Sequence, residues 1–159
     1  MTASFDLGDS AHTDRLGQAL AQSRPPQAVV YLQGDLGAGK STLARALLRD
    51  LGVQGAIRSP TYTLVERYPL ADGGEAWHLD LYRIADPEEL EYLGLDSGDV
   101  SLWLVEWAER GRGGLPAPDM SIELEWHGDG RRAHLTATSE AGSAWLSRLA
   151  NAKGFAVDS

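Results

Sequence analysis

The sequence contains no cysteine, which excludes disulfide bridges, cysteine-ligated zinc and a thiol nucleophile. It also lacks any run of about eighteen apolar residues, the minimum for a membrane-spanning helix. Its first residues do not form a basic stretch followed by an apolar core, as secretory signals do. These absences favour an intracellular protein in a reducing compartment, and we expect a cytoplasmic one.

A basic surface stripe is also missing. Lysine and arginine total 14 against 23 aspartate and glutamate residues, giving a net charge of −9. The basic residues are scattered, apart from the adjacent pair Arg131 and Arg132. Because negative charge repels a phosphate backbone, we expect any link to RNA or DNA to run through a partner. We also expect no membrane partner, since no apolar run is long enough to span a bilayer.

What is present suits one folded domain over residues 1–159. Hydrophobic residues make up 43% and charged residues 23%, the balance of an ordinary globular chain. The alternation of strand-like and helix-like segments predicts an α/β fold with an open mixed sheet and flanking helices. The first predicted elements are a helix starting at Asp9 or Ser10 and ending before Pro25, a strand at 28–32 and a helix at 40–52. They are followed by a hairpin of 61–68 with 76–84, a short helix from Pro87, a buried strand at 100–107 and an irregular loop at 110–119. The last predicted elements are a second hairpin of 120–126 with 131–138 and a helix at about 140–152.

The strongest motif is a phosphate-binding loop. Gly34, Gly39, Lys40 and Ser41 match G-x-x-x-x-G-K-[ST] between a predicted strand and a predicted helix. Glycines there let backbone N–H groups converge on phosphate oxygens at a helix N-terminus. The pattern predicts that Lys40 contacts the β- and γ-phosphates, Ser41 ligates Mg²⁺ and Thr42 bonds the α-phosphate.

Two carboxylates are candidates for the metal or water position that such a loop requires. Asp80 lies in "WHLDLYRI", where period-2 alternation places it on the same face as His78. Glu106 ends the apolar run "SLWLVE". Asp80 can instead pair with Arg83 or cap a loop, and Glu106 can be a solvated strand end. His78 is as compatible with a structural role as with a catalytic one.

A third segment, "RSPTYTL", has the hydroxyls of Ser59 and Thr61 on either side of Pro60. Such hydroxyls sense a γ-phosphate in ordered switch loops. The alternative is a plain turn leading into a strand, since serine, proline and threonine are common turn residues.

Six segments in order, "GDLGAGKST", "SPTYTLVERY", "HLDLYR", "DPEELEYLG", "LVEWAERG" and "LPAPD", resemble the TsaE family of small bacterial ATPases. The resemblance runs from about Asp9 to Leu149. It implies a single-domain P-loop NTPase fold with a mixed, mostly parallel seven-stranded sheet and a C-terminal antiparallel hairpin. It also implies ATP or ADP with Mg²⁺ as ligands, and weak ATPase activity that partners stimulate.

The partners implied by the resemblance are TsaD and TsaB, which form threonylcarbamoyladenosine at position 37 of ANN-decoding tRNAs. The family member does not transfer the threonylcarbamoyl group, and its ATP cycle resets the TsaB–TsaD complex between turnovers. Matched to the family's motifs, the resemblance implies that Lys40, Asp80 and Glu106 are catalytic. It implies metal ligation by Ser41, Asp80 and Glu106. The residues that it implies for nucleotide binding are Gly37, Ala38, Gly39, Lys40, Ser41, Thr42, Thr61, Trp107 and Arg131.

Two other functions are compatible with a phosphate-binding loop. A small-molecule kinase needs a lid with several arginines, and the sequence offers mainly Arg110 and Arg112 in "RGRGGLPAPD". A nucleotide-dependent binding switch requires different partner affinities in its two states. The sequence leaves open which carboxylate orients water, which residue between Asp9 and Thr13 lies near the base, the base specificity and the oligomeric state.

Overall fold

The computed structural model describes residues 1–35, 37–96 and 99–151, which form seven strands and three α-helices. The strands are β1 (Thr2–Leu7), β2 (Ala28–Gly34), β3 (Val65–Pro69), β4 (Glu75–Asp80), β5 (Val100–Glu106), β6 (Met120–His127) and β7 (Gly130–Ala137). The helices are α1 (Ser10–Ser23), α2 (Lys40–Asp50) and α3 (Glu140–Ala150), with 3₁₀ helices at Pro87–Leu93 and Ala108–Gly111. Among the described residues, no helix is long and apolar enough to cross a membrane.

All seven strands belong to one sheet in the order β1-β7-β6-β2-β5-β4-β3. The four central strands β6, β2, β5 and β4 are mutually parallel. Strand β3 pairs antiparallel with β4, and β7 pairs antiparallel with β6. Strand β1 pairs antiparallel with β7, so it runs in the same direction as the four central strands. The predicted mixed, mostly parallel sheet with a C-terminal hairpin is therefore confirmed.

The two faces of the sheet are covered differently. On one face, α1, α2 and α3 enclose the main core, which includes Phe5, Val30, Leu104 and Trp145. On the other face, the 3₁₀ helices cover only the β2, β5 and β4 region, where Leu90 packs into a second cluster. This arrangement leaves the ends of the parallel strands as the place where polar side chains gather.

The sequence-based prediction differs from the structure at a few boundaries. Strand β1 was not predicted, although its residues alternate between exposed and buried. Strand β3 begins at Val65 rather than Thr61, because Thr61 to Leu64 form a turn in which Leu64 has φ +69°. Strand β4 ends at Asp80, four residues earlier than predicted. The predicted end of the last helix at Ala152 lies outside the described residues.

One further segment departs from the prediction. The region 110–119 begins inside the 3₁₀ helix Ala108–Gly111 and is irregular only beyond it. The predicted short helix at Pro87 is confirmed as a 3₁₀ helix, with Asp86 and Glu89 forming a capping box. The predicted start of α1 is confirmed, since the Asp9 side chain accepts a hydrogen bond from the N–H of His12.

The sheet register aligns the ends of three parallel strands. Leu32 of β2 is opposite Glu106 of β5, and Glu106 is opposite Asp80 of β4. In open α/β sheets, ligands bind at the carboxyl ends of parallel strands. The loop between β2 and α2 begins at the same edge, so the phosphate-loop motif and both candidate carboxylates meet there.

Candidate functional site

The loop between β2 and α2 has the backbone of an anion-binding helix start. Gly37 and Gly39 adopt φ +80° and +103°, a region that residues with a Cβ rarely enter. Gly39 caps α2, whose first residue is Lys40. Ala38 is buried, and its N–H donates to the carbonyl of Asp35 at 3.0 Å. The first N–H groups of α2 have no partner within the helix, which favours a phosphate at this end.

Lys40 and Glu106 form an ion pair across the mouth of the site. The Lys40 Nζ lies 3.6 Å from Glu106 Oε1, and the two side chains are 17% and 9% exposed. The second carboxylate oxygen, Oε2, is 2.8 Å from Nε2 of the buried His78. Glu106 is therefore held between two partners, and its alternative as a solvated strand end does not match the structure.

Glu106 is ionised at neutral pH. Burial raises the pKa of its carboxyl group, but the hydrogen bond and electrostatic attraction from His78, followed by those from Lys40, outweigh this effect. The pKa therefore lies below its ordinary value of 4.5. A carboxylate that keeps its charge in a buried position is a suitable acceptor for a cation or for a water proton.

Asp80 lies beside Glu106 at the end of β4 and is itself buried. Its Oδ1 accepts from the N–H of Tyr82 at 3.0 Å, so it caps the turn after the strand. Its Oδ2 lies 3.5 Å from the Thr61 hydroxyl, which joins the S-P-T segment to the site. Arg83 donates to the carbonyl of Thr61 at 3.2 Å, and the described residues contain no ion pair between Asp80 and Arg83.

The chemistry of the donors at this edge suits magnesium. Ser41 is exposed in the first turn of α2, and Asp80 and Glu106 supply carboxylate oxygens nearby in the sheet. Within the described residues, no group of three or more acidic or histidine side chains forms a closed metal cage. Mg²⁺ commonly binds through one or two carboxylates while keeping its water ligands, so an open oxygen-rich edge fits this ion.

Comparison with known proteins gives the family. The family model described as "Threonylcarbamoyl adenosine biosynthesis protein TsaE" matches residues 7–134. The chain belongs to the TsaE family. A relative from Haemophilus influenzae, named tRNA threonylcarbamoyladenosine biosynthesis protein TsaE, is 46% identical over 125 residues, covering 77% of this chain and 78% of the relative. A Synechocystis protein of the same name is 44% identical, covering 67% and 70%.

A solved structure supports the fold. The crystal structure of Bacillus subtilis YdiB superposes with a TM-score of 0.75, covering 94% of this chain and 95% of that one at 24% identity. At this identity the likeness concerns the fold. It agrees with a TsaE-family P-loop domain built on a seven-stranded mixed sheet.

Trp107, the residue after Glu106, begins an exposed cluster of rings and arginines in this TsaE-family chain. It has φ +57°, a left-handed conformation that is uncommon outside glycine. Its ring centroid lies 5.0 Å from that of Tyr82, and the Arg110 guanidinium lies over both rings. The Arg83 guanidinium lies 4.6 Å from the Tyr62 ring centre. We call these residues the aromatic patch: Tyr62, Tyr82, Arg83, Trp107 and Arg110.

Arg131 reaches the phosphate loop from the β6–β7 hairpin. Its Nη2 donates to the carbonyl of Gly37 at 3.2 Å, and its guanidinium lies 3.3 Å from the centre of the Trp126 ring. Its Nε is buried and has no hydrogen-bond partner among the described residues. Arg131 therefore contacts the backbone of the phosphate loop.

The structure thus brings Lys40, Thr61, Asp80, Glu106 and Trp107 to one edge of the sheet. Thr42 is partly exposed beside Ser41 on α2.

Trp126, whose exposed ring supports Arg131 beside the loop, was not predicted as a site residue. Tyr82 and Arg110 were not predicted as partners of Trp107. The sequence signal for Trp126 was a tryptophan at the end of a strand with alternating apolar and polar residues. Its stacking with Arg131 could not be predicted, because it depends on contacts across the hairpin.

Proposed function

We propose that this protein is a Mg²⁺-dependent, ATP-binding ATPase subunit of the machinery that forms threonylcarbamoyladenosine at position 37 of ANN-decoding tRNAs. TsaD and TsaB are its proposed partners in the cytoplasm. It does not transfer the threonylcarbamoyl group, and its hydrolysis cycle resets the TsaB–TsaD complex. The observation that carries the proposal is the meeting of Lys40, Asp80 and Glu106 beside the phosphate loop.

Each residue has a physical role in this proposal. The loop backbone from Gly37 to Gly39 and the start of α2 bind the phosphates, and Lys40 neutralises their charge. Ser41, Asp80 and Glu106 would hold Mg²⁺, which when bound offsets the charge that develops on the phosphate oxygens. In this proposal the Thr61 hydroxyl senses the γ-phosphate, and its position 3.5 Å from Asp80 supports that role.

The ion pair between Lys40 and Glu106 connects nucleotide binding with readiness for hydrolysis. The Lys40 ammonium lies 3.6 Å from the Glu106 carboxylate in the structure. We propose that it exchanges this partner for the phosphates, because these carry more negative charge. Glu106 Oε1 is then released from Lys40 and is available to accept a hydrogen bond from the attacking water.

The aromatic patch is the proposed contact surface for the protein partner. Tyr62 and Tyr82 are 80% and 51% exposed, and Arg83 and Arg110 lie over the rings of the patch. Tyrosine, tryptophan and arginine are enriched in protein interfaces and dominate their binding energy. Because Tyr82 follows Asp80 closely in the chain, a partner bound here would affect the hydrolytic site.

The central experiment compares two variants on the same helix. Lys40→Ala removes the phosphate-facing ammonium, whereas Arg45→Ala removes an exposed charge elsewhere on α2. We expect Lys40→Ala to lower ATP hydrolysis with TsaD and TsaB by about a hundredfold or more, and to stop tRNA modification after the first turnover. Arg45→Ala should keep wild-type rates. Wild-type multiple-turnover modification by Lys40→Ala would refute the proposal.

A second pair of variants tests the partner surface. Tyr62→Ala truncates a patch residue, and Tyr92→Ala truncates a tyrosine outside the patch that is 88% exposed. We expect Tyr62→Ala to weaken binding to the TsaB–TsaD complex about tenfold, and Tyr92→Ala to leave it within about twofold. Equal affinities for the two variants would place the contact surface elsewhere.

A further inference from the structure

His78 is a buried polar residue next to the site that the proposed chemistry does not use. It is 3% exposed in β4, two residues before Asp80 and on the same face of the strand. Its Nε2 lies 2.8 Å from Glu106 Oε2, and its Nδ1 is buried without a hydrogen-bond partner among the described residues. One ring nitrogen therefore has a carboxylate partner and the other has none.

This geometry determines which ring nitrogen donates. Among the described residues, the partner of Nε2 is a carboxylate, which accepts hydrogen bonds, so Nε2 must carry the proton. His78 thus donates one hydrogen bond from Nε2 to Glu106.

The bond determines which way the Glu106 carboxylate faces. With Oε2 bound by His78, only Oε1 is directed to Lys40 and the phosphate loop. An isolated carboxylate at the end of a side chain rotates easily about its last bond, and a fixed donor behind one oxygen removes this freedom. Ligand carboxylates and catalytic carboxylates commonly depend on such supporting hydrogen bonds.

We propose that His78 is a positioning residue, which donates from Nε2 to Glu106 and thereby presents a single carboxylate oxygen to the nucleotide site. The inference rests on the proposed ATPase function. His78 does not touch the ligand in this role, because its ring lies behind Glu106 and is almost fully buried.

The kinetic test uses variants with and without the donor. The amide nitrogen of glutamine lies at about the position of Nε2, so His78→Gln retains a donor to Glu106, whereas His78→Leu fills the space without one. We expect His78→Leu to lower kcat at least about tenfold with nucleotide KM within about threefold, and His78→Gln to restore most of the rate. Equal loss in both variants would overturn the proposal.

The chain offers a matched control. His134 Nε2 lies 2.8 Å from Glu125 Oε1, a similar histidine–glutamate pair on the β6–β7 hairpin. The His134 side chain is 37% exposed and also bonds Ser4, and its partner Glu125 is not among the carboxylates assigned to the metal or to water. His134→Leu should leave kcat within about twofold of the wild type. A loss as large as that of His78→Leu would show that any histidine–glutamate pair has this effect.

A spectroscopic test needs no hydrolysis. In the nucleotide-free protein labelled with ¹⁵N-histidine, NMR should show a proton on His78 Nε2, assigned by its absence in His78→Gln. Glu106→Gln should shift this resonance, and Arg45→Ala should not. A proton on Nδ1 with none on Nε2 would overturn the inference. Absence of hydrolysis in the wild type would refute the proposed function while leaving this result unaffected.

Discussion

The ion pair between Lys40 and Glu106 gives the sharpest quantitative prediction. Lys40→Met and Glu106→Gln each remove one charge with little change in volume, and the double variant removes both. The free energies of unfolding of the four proteins then form a double-mutant cycle that isolates the interaction between the two side chains. Measured without nucleotide, the cycle reports the pair that the phosphates are proposed to replace.

The size of the interaction follows from its distance and burial. At 3.6 Å, Coulomb attraction in an effective dielectric of about 20 amounts to about 4.6 kcal/mol. Desolvation and the ordering of a lysine side chain, up to about 2 kcal/mol, oppose this attraction. The pair is less exposed than surface pairs, which contribute about 0.2–1 kcal/mol. We therefore expect a coupling energy of about 1–2 kcal/mol.

Urea unfolding at neutral pH and low salt is the appropriate assay, with equal m-values as the condition for comparison. The control cycle uses Arg24 and Asp72, which lie 2.7 Å apart with Asp72 56% exposed. We expect the control coupling to be below about 1 kcal/mol. A Lys40–Glu106 coupling energy below about 0.5 kcal/mol would be no larger than that of residues that do not interact, and would refute the proposed ion pair.

Three further predictions concern the same molecule. Because folding lowers the pKa of Glu106 below 4.5, its ionised form stabilises the folded protein above that pH. The free energy of unfolding, measured at a series of pH values, should therefore fall as the pH drops below 4.5. The Glu106→Gln variant should not show this contribution to the loss. Gly142→Ala should lower the free energy of unfolding by at least about 2 kcal/mol in urea, since the added Cβ would lie 1.9 Å from the carbonyl oxygen of Asp119. Trp126→Ala should raise the nucleotide Kd about fivefold by calorimetry, because Arg131 loses the ring it stacks on; an unchanged Kd would mean that the ring does not position Arg131.

Local sequence was sufficient for the elements around the phosphate loop. The apolar β-branched run of β2, the glycines and the helix-forming residues of α2 are contiguous, so each signal could be interpreted without knowledge of the fold. Strand β1 was overlooked because its alternation, with Ala3, Phe5 and Leu7 buried, spans only six residues. The early end of β4 at Asp80 depends on a cap to Tyr82, which apolar patterning does not reveal.

The site itself required tertiary structure. Asp80 and Glu106 are far apart in the chain, and they meet because β4 and β5 are parallel neighbours in a particular register. The sequence identified both residues but could not show that His78 and Lys40 bind opposite oxygens of Glu106. Such pairings depend on side-chain directions across strands, for which residue type and spacing carry no signal.

The placement of the tryptophans makes the protein its own optical reporter. Trp77 and Trp145 are buried in the two cores, whereas Trp107, which follows Glu106, and Trp126, which stacks on Arg131, are exposed. Indole emission shifts to the red in polar surroundings, so the buried pair emits at shorter wavelengths than the exposed pair. Unfolding and nucleotide arrival therefore change different parts of one fluorescence spectrum, without any attached dye.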